Sequence, residues 1–204
     1  CALPIYASQE YGERGFENMP VVFINGIGNS LEDALDHAKY LSLIGERVPI
    51  CGVYNGTCGT VFDLFETHLN LLYIDTEPVI LIRQKLKEFL SLFSGSILVI
   101  GHSQGVVQIR NALFHMEPQL RERIQVVAIA PAAFIPESIC QAVIHYVSKA
   151  DFIYIPDGKN KKGAGPIVFL DPHPEESQFF DHKFQSKTYR PYLQKALIDF
   201  LNRS

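Results

Sequence analysis

Apolar residues return along this chain in two rhythms. Short unbroken runs alternate with longer stretches in which apolar positions recur every three or four residues. The runs Val21–Asn25, Val48–Tyr54, Ile97–Ile100, Ile124–Ala130, Ala142–Val147 and Ile167–Leu170 predict strands buried on both faces. The stretches Leu31–Leu43, Glu77–Phe93, Val106–His115 and about Tyr189–Leu201 predict helices. Ser30 stands where an N-cap belongs on the first helix. Ile80, Leu81, Leu86, Phe89, Leu90 and Phe93 form the buried stripe of the second. Alternating strands and helices predict an α/β fold: a mostly parallel, doubly wound sheet of about six strands flanked by helices. No repeat, low-complexity stretch or linker divides the chain, so residues 1–204 read as a single domain, with 1–19 as an N-terminal arm lying over the core.

One segment adds chemistry to this pattern. Ile97-Leu98-Val99-Ile100 runs directly into Gly101-His102-Ser103-Gln104-Gly105, a G-x-S-x-G pentapeptide, and the helical spacing begins at once. A serine on a sharp strand-to-helix turn projects its hydroxyl at the carboxyl edge of the sheet, where open α/β folds place their sites. The glycines on either side leave room for strand and helix to close around it. A serine hydroxyl is a weak nucleophile at neutral pH. It needs a base within hydrogen-bond reach and a carboxylate to orient that base.

With the elbow in this position the chain resembles the α/β-hydrolase superfamily from Val21 to Leu201, in a minimal, cap-less form similar to small bacterial lipases and esterases without the first two strands. The opening Val21-Val22-Phe23-Ile24-Asn25-Gly26-Ile27-Gly28-Asn29 is similar to the lipase segment that carries the oxyanion loop, with Asn25 where that family usually has histidine. The resemblance implies an oxyanion hole built from the backbone N–H groups of Ile27 and Gln104. It also implies the chain order serine, acid, histidine. Asp151, after the fifth strand, is the expected acid, and Asp157 is the fallback. His182, ahead of the last helix, is the expected base. His173, in Asp171-Pro172-His173-Pro174, is the alternative base and suits a structural role. The connection Pro131–Gln141 is too short for a cap, and its Phe134 and Ile135 are candidates to line an acyl pocket. In Thr57–Asp75, an apolar stripe that includes Phe62, Phe65 and Leu69 reads as core, or as a hydrophobic rim where exposed. His102 is expected to pack beside the serine.

Composition narrows the partners. The chain has 204 residues, 47% hydrophobic and 20% charged, with a net charge of −4. That balance gives no electrostatic case for nucleic acid or an acidic membrane surface. The cluster Lys159, Lys161 and Lys162 sits among glycines and reads as a solvated loop. No apolar run is long enough to cross a bilayer, and no cleavable signal is visible. A first residue of Cys1 fits a trimmed piece of a longer chain better than a lipidated mature terminus. The cysteines at 1, 51, 58 and 140 match no zinc spacing; Cys51 and Cys58 could equally bridge or stay free. Asp171, His173, Asp181 and His182 also fit no standard metal motif, so no metal and no cofactor is expected. The expected activity is that of a serine hydrolase cleaving a carboxylic ester or thioester, lipid esters included, through an acyl-enzyme. Acyl transfer, or a non-catalytic binding domain on the same fold, remains open.

Overall fold

The computed structural model describes residues 2–6, 21–55, 75–153 and 163–203. In chain order these form β1 (Ala2–Tyr6), β2 (Val21–Ile24), α1 (Leu31–Ile44), β3 (Ile50–Asn55), α2 (Glu77–Leu92) and β4 (Ile97–His102). They continue through α3 (Gln104–Phe114), the short α4 (Pro118–Arg121), β5 (Ile124–Ile129), β6 (Ala142–Ser148), β7 (Ile167–Leu170) and α5 (Arg190–Leu201). The strands make one seven-stranded sheet in the order β1-β3-β2-β4-β5-β6-β7. The six strands expected from the apolar runs are parallel. The seventh comes from the segment expected to be an arm: Ala2–Tyr6 pairs antiparallel with β3, Ala2 opposite Asn55 and Tyr6 opposite Cys51.

Alternation along each strand sorts the core into two layers. Val21 and Phe23 of β2, Leu98 and Ile100 of β4, and Val127 and Ile129 of β5 face one way. There they meet Ala38, Leu41 and Ile44 of α1 and Leu193, Leu197 and Phe200 of α5. Val22, Ile24, Val99, Val126 and Ala128 face the other way, against Val79, Ile82, Leu86 and Phe89 of α2 and Val106, Ile109 and Leu113 of α3. Strands covered on both faces carry no polar alternation, which is why they read as unbroken apolar runs. Ser30 caps α1 as expected: its hydroxyl accepts from the Asp33 amide at 3.1 Å, and the Asp33 carboxylate accepts from the Ser30 amide at 2.8 Å.

The order of strands fixes where a site can form. From β2 the chain moves outward to β3, then crosses back to β4 on the other side of β2 and proceeds to β7. The loops leaving β2 and β4 therefore diverge above neighbouring strands and leave a crevice between them. Two glycines let α3 close over this point. A Cβ on Gly105 would stand 2.6 Å from the Ile24 carbonyl oxygen and 2.7 Å from that of Asn25, and one on Gly101 would stand 2.5 Å from Ile109 Cδ1. Between Pro131 and Gln141 the chain holds only a single 3-10 turn, Glu137–Ile139, and no cap. Phe134 and Ile135 are fully buried, Ile135 within the core layer under α2 and α3, so they pack the interior and do not line an acyl surface. Cys51 is a free, buried thiol, and burial pushes it up to about 12; Cys58 and the stripe of 57–74 lie outside the described residues.

The contact at Gly105 is with backbone, which cannot swing aside. Gly105→Ala is expected to lower stability by about 2 kcal/mol or more in chemical denaturation. Gly95→Ala, where a Cβ meets nothing within 4 Å, should leave the midpoint nearly unchanged. Equal effects at the two positions would contradict this account of the strand–helix approach.

Candidate active site

Ser103 is the first residue beyond β4 and the N-cap of α3, and its backbone is forced into φ 53°, ψ −123°. A side chain in this region costs about 1–3 kcal/mol unless its surroundings hold it there. They do so through three backbone bonds. The Ser103 amide donates to the Ile129 carbonyl at 3.2 Å, and its carbonyl accepts from Val106 at 3.1 Å and Ala132 at 3.2 Å. Strand β5 and the loop beyond it thus grip the turn from one side while α3 grips it from the other.

The structure brings three of the expected residues into one relay. His182 Nε2 lies 2.8 Å from Ser103 Oγ, and His182 Nδ1 lies 2.8 Å from Asp151 Oδ2. A carboxylate oxygen accepts, so Nδ1 carries the hydrogen and the Nε2 lone pair faces the serine hydroxyl. The Asp151 side chain is buried, and its other oxygen accepts from the Ile153 amide at 2.9 Å. It therefore serves the turn at 151–153 and the imidazole at once. His173 is engaged elsewhere: its amide donates to Thr188 Oγ1 at 2.9 Å, and its Nδ1 accepts from the Glu175 amide at 3.2 Å. Asp157 and Lys159, Lys161 and Lys162 lie outside the described residues. Asp171 pairs with Lys149 at 2.7 Å and Asp181 with Thr188, so the four residues weighed as metal ligands do not converge. Among the described residues no group of three His, Cys, Asp or Glu side chains could hold a metal ion.

A set of polar residues that local spacing does not reveal ties Asp151 to His182. The Asp181 amide donates to the Ala150 carbonyl at 3.3 Å, which joins the residues immediately before Asp151 and His182. Thr188 Oγ1 donates to Asp181 Oδ2 at 2.5 Å, and Tyr189 Oη donates to the Asp181 carbonyl at 3.0 Å. Tyr189 Oη in turn accepts from the Ser148 amide at 3.1 Å, at the end of β6. Ser148, Asp181, Thr188 and Tyr189 are all buried, and Ala150 is half-buried. Their bonds bridge the strand that leads to Asp151 to the loop that carries His182.

His102 packs beside the serine as expected and adds a bond of its own. Its Nε2 lies 2.8 Å from the His182 carbonyl oxygen, so Nε2 carries the hydrogen and donates. Its ring centroid is 5.2 Å from that of His182. Burial, and after it the charge His182 can carry, push the His102 imidazole down to about 3. The neutral ring is a fixed donor on the loop that carries the base.

The loop after β2 rests against the elbow. A Cβ on Gly26 would meet Ser103 Cβ at 2.9 Å and His102 Nδ1 at 3.0 Å. The Gly26 carbonyl accepts from Asn25 Nδ2 at 2.8 Å and Asn29 Nδ2 at 3.0 Å. A trans peptide points its N–H away from its own carbonyl, so holding this oxygen also aims the Ile27 amide. Asn25 is buried and helps set that peptide plane.

The fold is that of the α/β hydrolases. The structure is similar to the Bacillus cereus carboxylesterase, with a TM-score of 0.57, 11% identity, and 99% of this chain and 93% of that one covered. It is similar to the dienelactone hydrolase of Anabaena variabilis, with a TM-score of 0.55, 14% identity and coverage of 99% and 97%. It is also similar to the monoacylglycerol lipase of Paleococcus ferrophilus, with a TM-score of 0.54, 11% identity and coverage of 100% and 99%. No protein-family model matches the chain, and no curated protein matches its sequence. Among the described residues no helix is long and apolar enough to cross a membrane.

The burial of His102 has a pH signature. Below the ordinary value of 6.5 the unfolded chain takes up a proton that the folded chain refuses until about 3. Stability is therefore lost as pH falls through that window, at up to about 1.4 kcal/mol per pH unit from this residue. His37, lowered chiefly by burial, acts in the same direction. His102→Gln keeps a donor without the titration, so its denaturation midpoint should fall less steeply between pH 6.5 and pH 4.5. A slope equal to that of the native chain would contradict the assignment.

Proposed function

We propose that this protein is a serine hydrolase of carboxylic esters or thioesters, working through a Ser103–His182–Asp151 triad. One observation carries the reading: the nucleophile, imidazole and carboxylate stand in sequence at 2.8 Å and 2.8 Å, with the serine on a strained strand-to-helix turn. Proteins that this structure resembles, a carboxylesterase and a monoacylglycerol lipase among them, favour an ester substrate.

In this mechanism His182 Nε2 takes the proton as Ser103 Oγ attacks the carbonyl carbon. Asp151 holds the imidazole in the tautomer that can accept it. The carbonyl oxygen gains negative charge and is met by the backbone N–H groups of Ile27 and Gln104. Each such donor is worth roughly 10²- to 10³-fold in rate. The bond to the leaving oxygen or sulfur then breaks, His182 returns its proton to that atom, and the acyl group stays on Ser103. Water, deprotonated by the same imidazole, attacks the acyl carbon; the bond from that carbon to Ser103 Oγ breaks, His182 returns the proton to Oγ, and the acid leaves. Because Asn25 and Asn29 hold the Gly26 carbonyl, the Ile27 donor is aimed before substrate arrives and needs little reorganisation.

A fluorophosphonate probe should label the native protein, and Ser103→Ala should abolish labelling. His182→Ala is expected to lower kcat by about 10⁴-fold or more and Asp151→Asn by about 10²- to 10⁴-fold. His173→Ala should stay within about tenfold of the native rate. A folded native chain that resists the probe would overturn the reading, and a larger loss at His173 than at His182 would overturn the assigned base.

A further inference from the structure

The base has an apolar wall on its solvent side. Phe180, two residues before His182, stacks on its imidazole with ring centroids 5.6 Å apart and planes 15° apart. Phe152, the residue after Asp151, packs on Phe180 with centroids 5.0 Å apart. Neither ring is consumed by the core: Phe152 is 54% exposed, Phe180 44% and the adjacent Phe179 91%. Leaving two such rings in contact with water forfeits apolar burial, so their position calls for an occupant.

Proton transfer selects which part of a substrate lies there. During acylation the bond between the carbonyl carbon and the alkoxy oxygen breaks. That oxygen takes the proton from His182 Nε2 and leaves as an alcohol, while the acyl carbon remains bonded to Ser103 Oγ. The alkoxy oxygen must therefore come within hydrogen-bond distance of His182 Nε2. The group attached to it departs from beside the imidazole, and Phe180 and Phe152 are the exposed apolar rings stacked there. We propose that Phe152 and Phe180 seat the alcohol portion of the substrate, and that the protein prefers esters of apolar alcohols. This rests on the triad reading of the site.

The test is a series of acetates of methanol, n-butanol, n-hexanol and cyclohexylmethanol, each kept below its solubility limit. These alcohols are similarly poor leaving groups, so differences in kcat/KM report contact with the alcohol. The expected native result is a rise of at least about tenfold from methyl to hexyl acetate, a size typical of apolar discrimination in a binding site. In Phe152→Ala and in Phe152→Ala/Phe180→Ala that ratio should collapse to within about twofold of one. Phe180→Leu should retain most of it. A companion series of methyl esters with lengthening acyl chains should keep its native length preference in the same variants. A flat alcohol series in a native protein whose Ser103 is labelled by fluorophosphonate overturns the seat alone. Variants that flatten the acyl series instead assign the rings to the acyl chain and equally overturn it. A rise seen only above the solubility limit marks adsorption to an ester surface and counts against it. Absence of both labelling and turnover of any ester sinks the triad reading beneath it.

Discussion

The backbone reversal at Ser103 is the constraint on which the rest of the site depends. With φ 53° and ψ −123° it lifts the hydroxyl out of the line of β4 and starts α3 at the next residue. An L-residue does not hold that conformation unaided. Here it is held by the Ile129, Val106 and Ala132 bonds, and by glycines at 26, 101 and 105 whose missing side chains let three segments close on one point. The strain is local and its support is not. Strand β5, helix α3 and the loop after β2 must all be in place before the serine can be presented. The site is thus a consequence of the whole sheet order, because only the crossing from β3 to β4 puts the loops after β2 and β4 side by side.

Asp151 and His182 face a different physical problem. They arrive on separate segments, and their 2.8 Å bond joins residues 31 positions apart. Backbone brought together without secondary structure needs other partners for its polar groups. The Asp181 amide and carbonyl find theirs in Ala150 and Tyr189, and the Asp181 carboxylate finds its own in Thr188. A buried network satisfied in this way is rigid, since releasing one member would strand the others away from water. Asp181 thus acts as the fastening of the loop, next to a histidine whose own bonds are spent on Ser103 and Asp151.

How far the sequence disclosed this depends on the range of the interaction. Six strands and four helices were legible because burial on both faces, or on one stripe, leaves a local rhythm. Ser103 was legible because its turn needs small neighbours within two residues. Asp151 and His182 were reachable through chain order and the resemblance to known hydrolases. The antiparallel strand β1 was not, because its hydrogen bonds go to β3 across some fifty positions and the segment itself is mixed in polarity. Phe134 and Ile135 show the converse failure: an apolar pair after a strand carries no mark that separates core from pocket. The roles of Thr188, Tyr189 and Asn29 were equally hidden, since a lone polar residue in a loop does not announce which distant carbonyl it will meet.

The two surroundings of His182 explain how one imidazole can be both fixed and useful. On its buried side the neutral His102 ring holds the His182 carbonyl through an N–H that does not titrate in the neutral range, so the backbone beneath the base keeps its place. On the solvent side Phe180 covers a ring face with apolar carbon. The ring nitrogens between these two surroundings are bonded to Ser103 and Asp151. Phe180 is itself partly open to solvent, so the stack sits at the surface and not in the core. The aromatic pair packs against His182 and not against the sheet. The same ring that covers a face of His182 carries the second ring, Phe152, out to solvent.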